Sequence, residues 1–212
     1  MRILLCDDHK MMRDGLKAIL EKDGLEVVGE ASNGHEAIDL ARRLRPEIVV
    51  MDISMPDLNG IDATRCLVAE LRGIKVIGLS MNADQRYVIA MFKAGSVGYL
   101  LKNAASDELI RAVRAVAADL TYVSPSIGAV VVDNVVGPAP SVTTPKKALS
   151  PREREVLQLL AEGRSSKEIA ARLSVSVATV ESHRRQIVDK LNIHSIAQLT
   201  KYAIREGLTS AD

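Results

Sequence analysis

Five residues in the first half of the chain have types suited to joint chemistry: Asp7, Asp8, Asp52, Ser80 and Lys102. Each follows directly on a short apolar run: RILLC before Asp7-Asp8, IVVM before Asp52, IKVIGL before Ser80 and VGYLL before Lys102. Such a run, bounded by a turn, reads as a fully buried parallel strand. In open α/β sheets ligands sit at the carboxyl ends of the strands. The pattern therefore delivers three carboxylates, one hydroxyl and one amine to a single edge. Clustered carboxylates repel one another and demand a cation, and hard oxygen ligands suit Mg²⁺. A divalent cation in turn lets an anionic carboxylate approach an anionic phosphodonor. Asp52 is then the candidate nucleophile, forming an aspartyl phosphate. Lys102 offers a mobile charge to the phosphate oxygens, and Ser80 offers a hydrogen bond. Taken singly, Asp52 reads equally well as a helix cap or a turn residue; it is the coincidence of all five that argues for a site.

The elements that must position these residues follow from the pattern around them. Helical spacing links Met12, Leu16, Ile19 and Leu20, and Gly24 ends that helix. Asn33 caps a helix to about Leu44, and Pro46 forces an extended entry into the Asp52 strand. Further helices are expected from about Gly60 to Leu71, from Ala83 to Lys93, and after Ser106. Five strands alternating with five helices predict an α/β fold: a five-stranded doubly wound parallel sheet, helices on both faces.

Composition is that of an ordinary globular chain of 212 residues, 47% hydrophobic and 26% charged, with few aromatics. No apolar run approaches the roughly 18–20 residues that span a bilayer. The strand Ile3-Leu4-Leu5 starts so early that no signal peptide and a cytoplasmic location are expected. Cys6 and Cys66 are too far apart for a CxxC pair and read as reduced, buried residues. Charge is uneven: residues 1–145 carry 16 Lys+Arg against 19 Asp+Glu, and residues 146–212 carry 12 against 8. The basic final third hints at a polyanion partner.

Residues 1–120 resemble a response-regulator receiver domain, through Asp7-Asp8, MDISMPDLNG around Asp52, LSMNAD at Ser80 and GYLLK ending at Lys102. The resemblance implies a flavodoxin-like fold, Asp52 as phosphoacceptor, and Asp7, Asp8, Asp52 and the Ser54 backbone carbonyl as Mg²⁺ ligands. It implies that Ser80 and Lys102 contact the phosphoryl group, and that Tyr99 is a switch aromatic turning inward as Ser80 moves. A half-buried strand tyrosine fits position 99 as well. Ser54 and Asn82 fall where the family tunes phosphate lifetime.

From 121 to 145 the pattern decays into a linker. Tyr122-Val123-Ser124-Pro125 is a candidate helix start covering 127–136, and residues 137–145 read as an exposed tether. From 146 to 212 four helices are expected. Ser150 is a helix cap with Pro151 and Glu153 completing a capping box. Ser165, Ser176 and Ser195 start the next three helices. Two helices joined by a short turn, the second with polar and basic residues, read as a helix-turn-helix. On that second helix Val177, Val180, Ile187, Val188 and Leu191 form a core face. Ala178, Glu181, Ser182 and Arg185 face a major groove, with Arg185 suited to guanine and Glu181 to cytosine. Ser176, Thr179, His183, Arg184 and Lys190 flank it for phosphates; His183 fits a packed core position equally. This segment is similar throughout to the LuxR-type helix-turn-helix, in SPREREVL, KEIAARL and TVESHRRQIVDKL. The two resemblances together are those of the NarL/FixJ class of bacterial response regulators. They imply a sensor histidine kinase as donor, double-stranded DNA as target, homodimers when phosphorylated or DNA-bound, no membrane role, and no enzymatic turnover of an outside substrate. Two rivals remain open at this level: an Asp-nucleophile phosphatase, disfavoured by Ser54 in place of a second Asp, and a receiver controlled by partner binding.

Overall fold

The computed structural model describes residues 1–81, 84–104, 106–127 and 148–209. The chain divides into two compact units, Met1–Pro138 and Ala139–Asp212. In the first, strands and helices alternate as β1 (Arg2–Cys6), α1 (Lys10–Lys22), β2 (Glu26–Ala31), α2 (Gly34–Leu44), β3 (Ile48–Asp52), α3 (Gly60–Glu70), β4 (Lys75–Ser80), α4 (Gln85–Lys93), β5 (Gly98–Leu101), α5 (Ser106–Ala117) and β6 (Tyr122–Val123). Every strand pair is parallel, in the order β2-β1-β3-β4-β5-β6.

The alternation of side chains along each strand sorts the core into two layers. Ile3, Leu5, Ile48, Val50, Ile77 and Leu79 face Leu20 of α1 and Leu109, Val113 and Val116 of α5. Leu4, Cys6, Val49 and Met51 face Ala37 and Ile38 of α2, Ile61 and Leu67 of α3, and Val88 and Met91 of α4. The central strands β1 and β3 are buried on both faces, which is why their sequences run apolar without alternation. The strand order reverses between β1 and β3, and that is where a crevice opens beyond the carboxyl ends of such a sheet. Asp7 and Asp8 follow β1, and Asp52 ends β3.

Among the described residues the sheet has six strands, not the five expected. Tyr122 N donates to Val97 O at 3.1 Å and Ser124 N to Tyr99 O at 3.0 Å, adding β6 beside β5. Two residues are too few to display a period, so this strand leaves no pattern in the sequence. The helix expected over 127–136 lies outside the described residues beyond Ile127.

Among its described residues the second unit has four helices: α6 (Pro151–Ala161), α7 (Ser166–Arg172), α8 (Val177–Leu191) and α9 (Ile196–Arg205). Capping boxes at Ser150–Glu153 and Ser165–Glu168 start the first two, each satisfying orphan backbone donors. Ser176 starts α8, accepting from Thr179 N at 3.0 Å. Ser195 precedes α9, but its side chain makes no cap bond. Val156, Leu159, Ile169, Val180, Ile187, Leu191, Leu199 and Ala203 form its core. Val177, expected inward, is 41% exposed as the first residue of α8.

Candidate functional site

Asp7, Asp52, Ser80 and Lys102 converge at the carboxyl edge of the sheet, with Asp8 beside them. Asp7 and Asp52 are nearly sealed from solvent, at 1% and 2% side-chain exposure. One oxygen of each is tied to backbone: Asp7 Oδ1 accepts from His9 N at 2.9 Å, and Asp52 Oδ1 from Ser54 N at 3.3 Å. The other oxygen of each faces Lys102, whose Nζ lies 2.7 Å from Asp7 Oδ2 and 2.9 Å from Asp52 Oδ2. Arg13 Nη1 donates to Asp7 O at 2.6 Å, so α1 clamps the end of β1.

Electrostatics follow from this geometry. Burial pushes the Asp52 carboxyl up to about 6; Lys102 pulls against it and Asp7 adds to it. Burial also works to lower the Lys102 ammonium, but Asp52 and Asp7 outweigh it and hold the ammonium above its ordinary value. Ser80 ends β4 at 5% exposure, and its carbonyl accepts from Lys102 N at 2.8 Å. Tyr99 is fully buried and its hydroxyl hydrogen-bonds the Ser80 side chain. Burial pushes that phenol up to about 12, with the Ser80 bond working the other way.

The turn after Asp52 brings α3 hard against the strand it follows. A Cβ on Gly60 would stand 1.9 Å from Asp52 O. Only glycine admits that approach, and Gly60 N donates to Ile53 O at 2.9 Å. The glycine thus keeps β3 ending where it does, with the Asp52 side chain at the crevice.

The donor set fits a hard divalent cation. Asp7 Oδ2, Asp8 Oδ1 and Asp52 Oδ2 are buried and accept no aligned hydrogen bond among the described residues. Lys102 Nζ meets the first and third, and His9 Nδ1 lies 2.8 Å from the second. Ligand atoms of Asp7, Asp8 and His9 lie within 4.8 Å of one another. Carboxylates with free oxygens and a displaceable ammonium are what an oxygen-seeking ion such as Mg²⁺ requires.

The expected DNA-facing residues lie on α8 and the turn before it, and differ in how free they are. Arg185 is exposed, its Nε only 3.4 Å from Glu181 O. Ser182 is half-buried, and His183 Nδ1 is buried without a hydrogen bond among the described residues. Ser176 and Thr179 bond each other through their hydroxyls at 2.8 Å. Glu181 Oε1 accepts from Ser166 of α7 at 2.5 Å and from Arg184 Nη1 at 3.0 Å. Lys190 Nζ reaches back to Glu153 Oε2 of α6 at 2.6 Å.

Two family descriptions match the chain. Residues 3–114 match the response regulator receiver domain, and residues 147–203 match the bacterial regulatory proteins of the luxR family. The transcriptional regulatory protein MctR of Rhizobium johnstonii is 39% identical over 99% of this chain and 95% of its own. The response regulator UvrY of Escherichia coli is 36% identical over 99% and 96%. The chain is a response regulator of the NarL/FixJ class. Its likeness extends to solved structures: RcsB of Salmonella typhimurium, described for conformational dynamism in DNA interaction, superposes with a TM-score of 0.60. That superposition has 27% identity and covers 95% of this chain and 97% of the other. The family is one of DNA-binding, two-component transcription regulators. Among the described residues no helix is long and apolar enough to cross a membrane.

Several residues around this response regulator's candidate sites have partners that the sequence did not announce. Glu153, expected only as a cap, is the buried partner of Lys190, 37 positions away. His9 joins Asp7 and Asp8, and the run Asp-Asp-His is the one cue that sequence offered for it. Ser124, expected only within a candidate helix start before Pro125, is fully buried against β5.

Proposed function

We propose that Asp52 accepts a phosphoryl group from a sensor histidine kinase, and that this controls how the C-terminal unit binds promoters. The observation that carries the proposal is Asp52 Oδ2, buried, facing the crevice and shared with Lys102 beside Asp7. The receiver spans about 1–120, the linker 121–145, and the DNA-binding part 146–212.

In the step proposed, an Asp52 oxygen attacks the phosphorus. The new P–O bond forms as the P–N bond to the kinase histidine breaks, and the leaving imidazole takes a proton. Asp7, Asp8, Asp52 and the Ser54 carbonyl would hold Mg²⁺, which when bound supplies charge neutralisation for donor and carboxylate. Lys102 leaves its carboxylate partners and pairs with the phosphoryl oxygens; Ser80 donates to one of them. Tyr99, already inward and bonded to Ser80, follows the movement of that hydroxyl. Phosphorylation adds charge and strong acceptors, which favours one of two conformations already present.

In the C-terminal unit, α8 enters the major groove. Arg185 and Ser182, with Glu181, face base edges; Ser176, Thr179, His183, Arg184 and Lys190 lie toward phosphates. Phosphorylation favours homodimers on paired half-sites, in the cytoplasm. Incubation with Mg²⁺ and acetyl phosphate tests the first step. A phosphoryl adduct mapped to Asp52, absent after Asp52→Ala, is the expected result; no adduct, or one that survives Asp52→Ala, overturns it.

A further inference from the structure

β6 lies along the outer edge of β5, the strand that carries Tyr99 and runs into Lys102. Three kinds of contact hold it there. Backbone bonds link Tyr122 N to Val97 O and Ser124 N to Tyr99 O. The fully buried Ser124 hydroxyl donates to Glu108 Oε1 of α5 and accepts from Leu101 N at 3.3 Å. Ile127, fully buried, packs in the same cluster as Tyr99. A hydroxyl sealed from water is costly unless bonded, and here both its donor and its acceptor capacity are engaged. The acid crevice uses none of these contacts, yet Leu101 is the residue before Lys102.

We propose that residues 122–127 form a phosphate-sensitive latch, with Ser124 as its positioning residue: Ser124 ties β6 to the strand end that carries Lys102, and phosphorylation loosens that tie. The inference rests on the phosphoacceptor reading above. A phosphoryl group on Asp52 draws the Lys102 ammonium and the Ser80 hydroxyl toward it. Lys102 N is bonded to Ser80 O at 2.8 Å, so the ends of β4 and β5 move together, and Leu101 N moves with them. Glu108 belongs to α5 and keeps its hold on the Ser124 hydroxyl. The Leu101 N to Ser124 Oγ bond is already at the long end for such a bond, so it yields first. In sequence, β6 and Ile127 come just before the stretch that joins the two units, so a released β6 adds to the length of that join.

Hydrogen–deuterium exchange on the full chain tests this, read on peptides covering 120–127, with the Asp52 adduct measured in the same samples. With Mg²⁺ and acetyl phosphate, exchange at the Tyr122 and Ser124 amides is expected to speed up about fivefold or more. In Ser124→Ala exchange is expected to be fast without the donor and indifferent to it, while Ser124→Thr, which keeps the hydroxyl, restores the response. A chain labelled on Asp52 whose 120–127 amides exchange no faster overturns the latch and leaves the phosphoacceptor standing. A donor response retained in Ser124→Ala overturns the role of Ser124. No label on Asp52 overturns both.

Discussion

Lys102 stands 2.9 Å from Asp52 Oδ2, at 5% exposure, on the spot that the proposed metal ion and phosphoryl group would both need. With Asp7 on its other side at 2.7 Å, its one positive charge is shared by two buried carboxylates. The ammonium makes the acid cluster tolerable without a metal, and on the proposed reading it would compete with one.

That competition has a sign. Lys102→Ala leaves Asp7 and Asp52 facing each other uncompensated, so Mg²⁺ should bind more tightly, by about tenfold. Asp8→Asn should weaken Mg²⁺ by removing a ligand. Titration calorimetry on the two variants checks both; weaker binding by Lys102→Ala would contradict the competition.

The raised Asp52 carboxyl gives a pH dependence. Its pKa in the folded chain, about 6, exceeds its ordinary 3.8, so folding tightens the proton. The stabilisation this gives is fully present below about 3.8 and is lost as pH rises through about 6. Asp52→Asn cannot lose it. Without metal the variant should exceed the parent in stability at pH 7.5 by about 1–3 kcal/mol, with the gap closing toward pH 4. Urea unfolding in chelator at both pH values measures it, and a pH-independent gap would contradict it.

Lys190 faces a buried acid, and its loss should register first as instability. Lys190→Ala strands Glu153, 3% exposed, beside the core of the second unit. The expected cost is about 1–3 kcal/mol. Burial works to raise the Glu153 carboxyl, but its bonds to Lys190 and Ser150 outweigh that and hold it low. Its stabilisation is therefore present above the ordinary carboxylate range and lost as pH falls through the lowered value. Thermal unfolding of parent and variant should converge in acid.

Arg185 is the freest base-reading candidate on α8, whereas Glu181 is held by Ser166 and Arg184. Arg185→Ala should therefore relax sequence preference at one base position, at about 1–3 kcal/mol. Selection of DNA sites from a random pool by parent and variant would show it; a uniform loss at every position would mark Arg185 as a phosphate contact instead.

The fold of the first unit was legible because each chemical residue ends an apolar strand, and strand ends share an edge. The convergence of Asp7, Asp52, Ser80 and Lys102 follows from topology alone. What sequence hid was pairing at a distance and brevity. Nothing near Lys190 says that Glu153 waits on another helix. Nothing in Tyr122-Val123 has the length to announce a strand, and Ser124 before Pro125 reads as a helix start. Val177 reads as core by period, yet a helix's first residue lacks the neighbouring turn that would cover it. Tyr99 could be placed on β5 from sequence, but its full burial against Ser80 depends on the packing of α4 and Ile127.

The most direct measurement is DNA affinity of one preparation before and after treatment with Mg²⁺ and acetyl phosphate, on fragments the chain itself selects, with Asp52→Ala in parallel. The parent should bind more tightly once labelled, and the variant should not respond. Equal affinity of labelled and unlabelled parent, or an equal response in Asp52→Ala, would contradict control of DNA binding through Asp52.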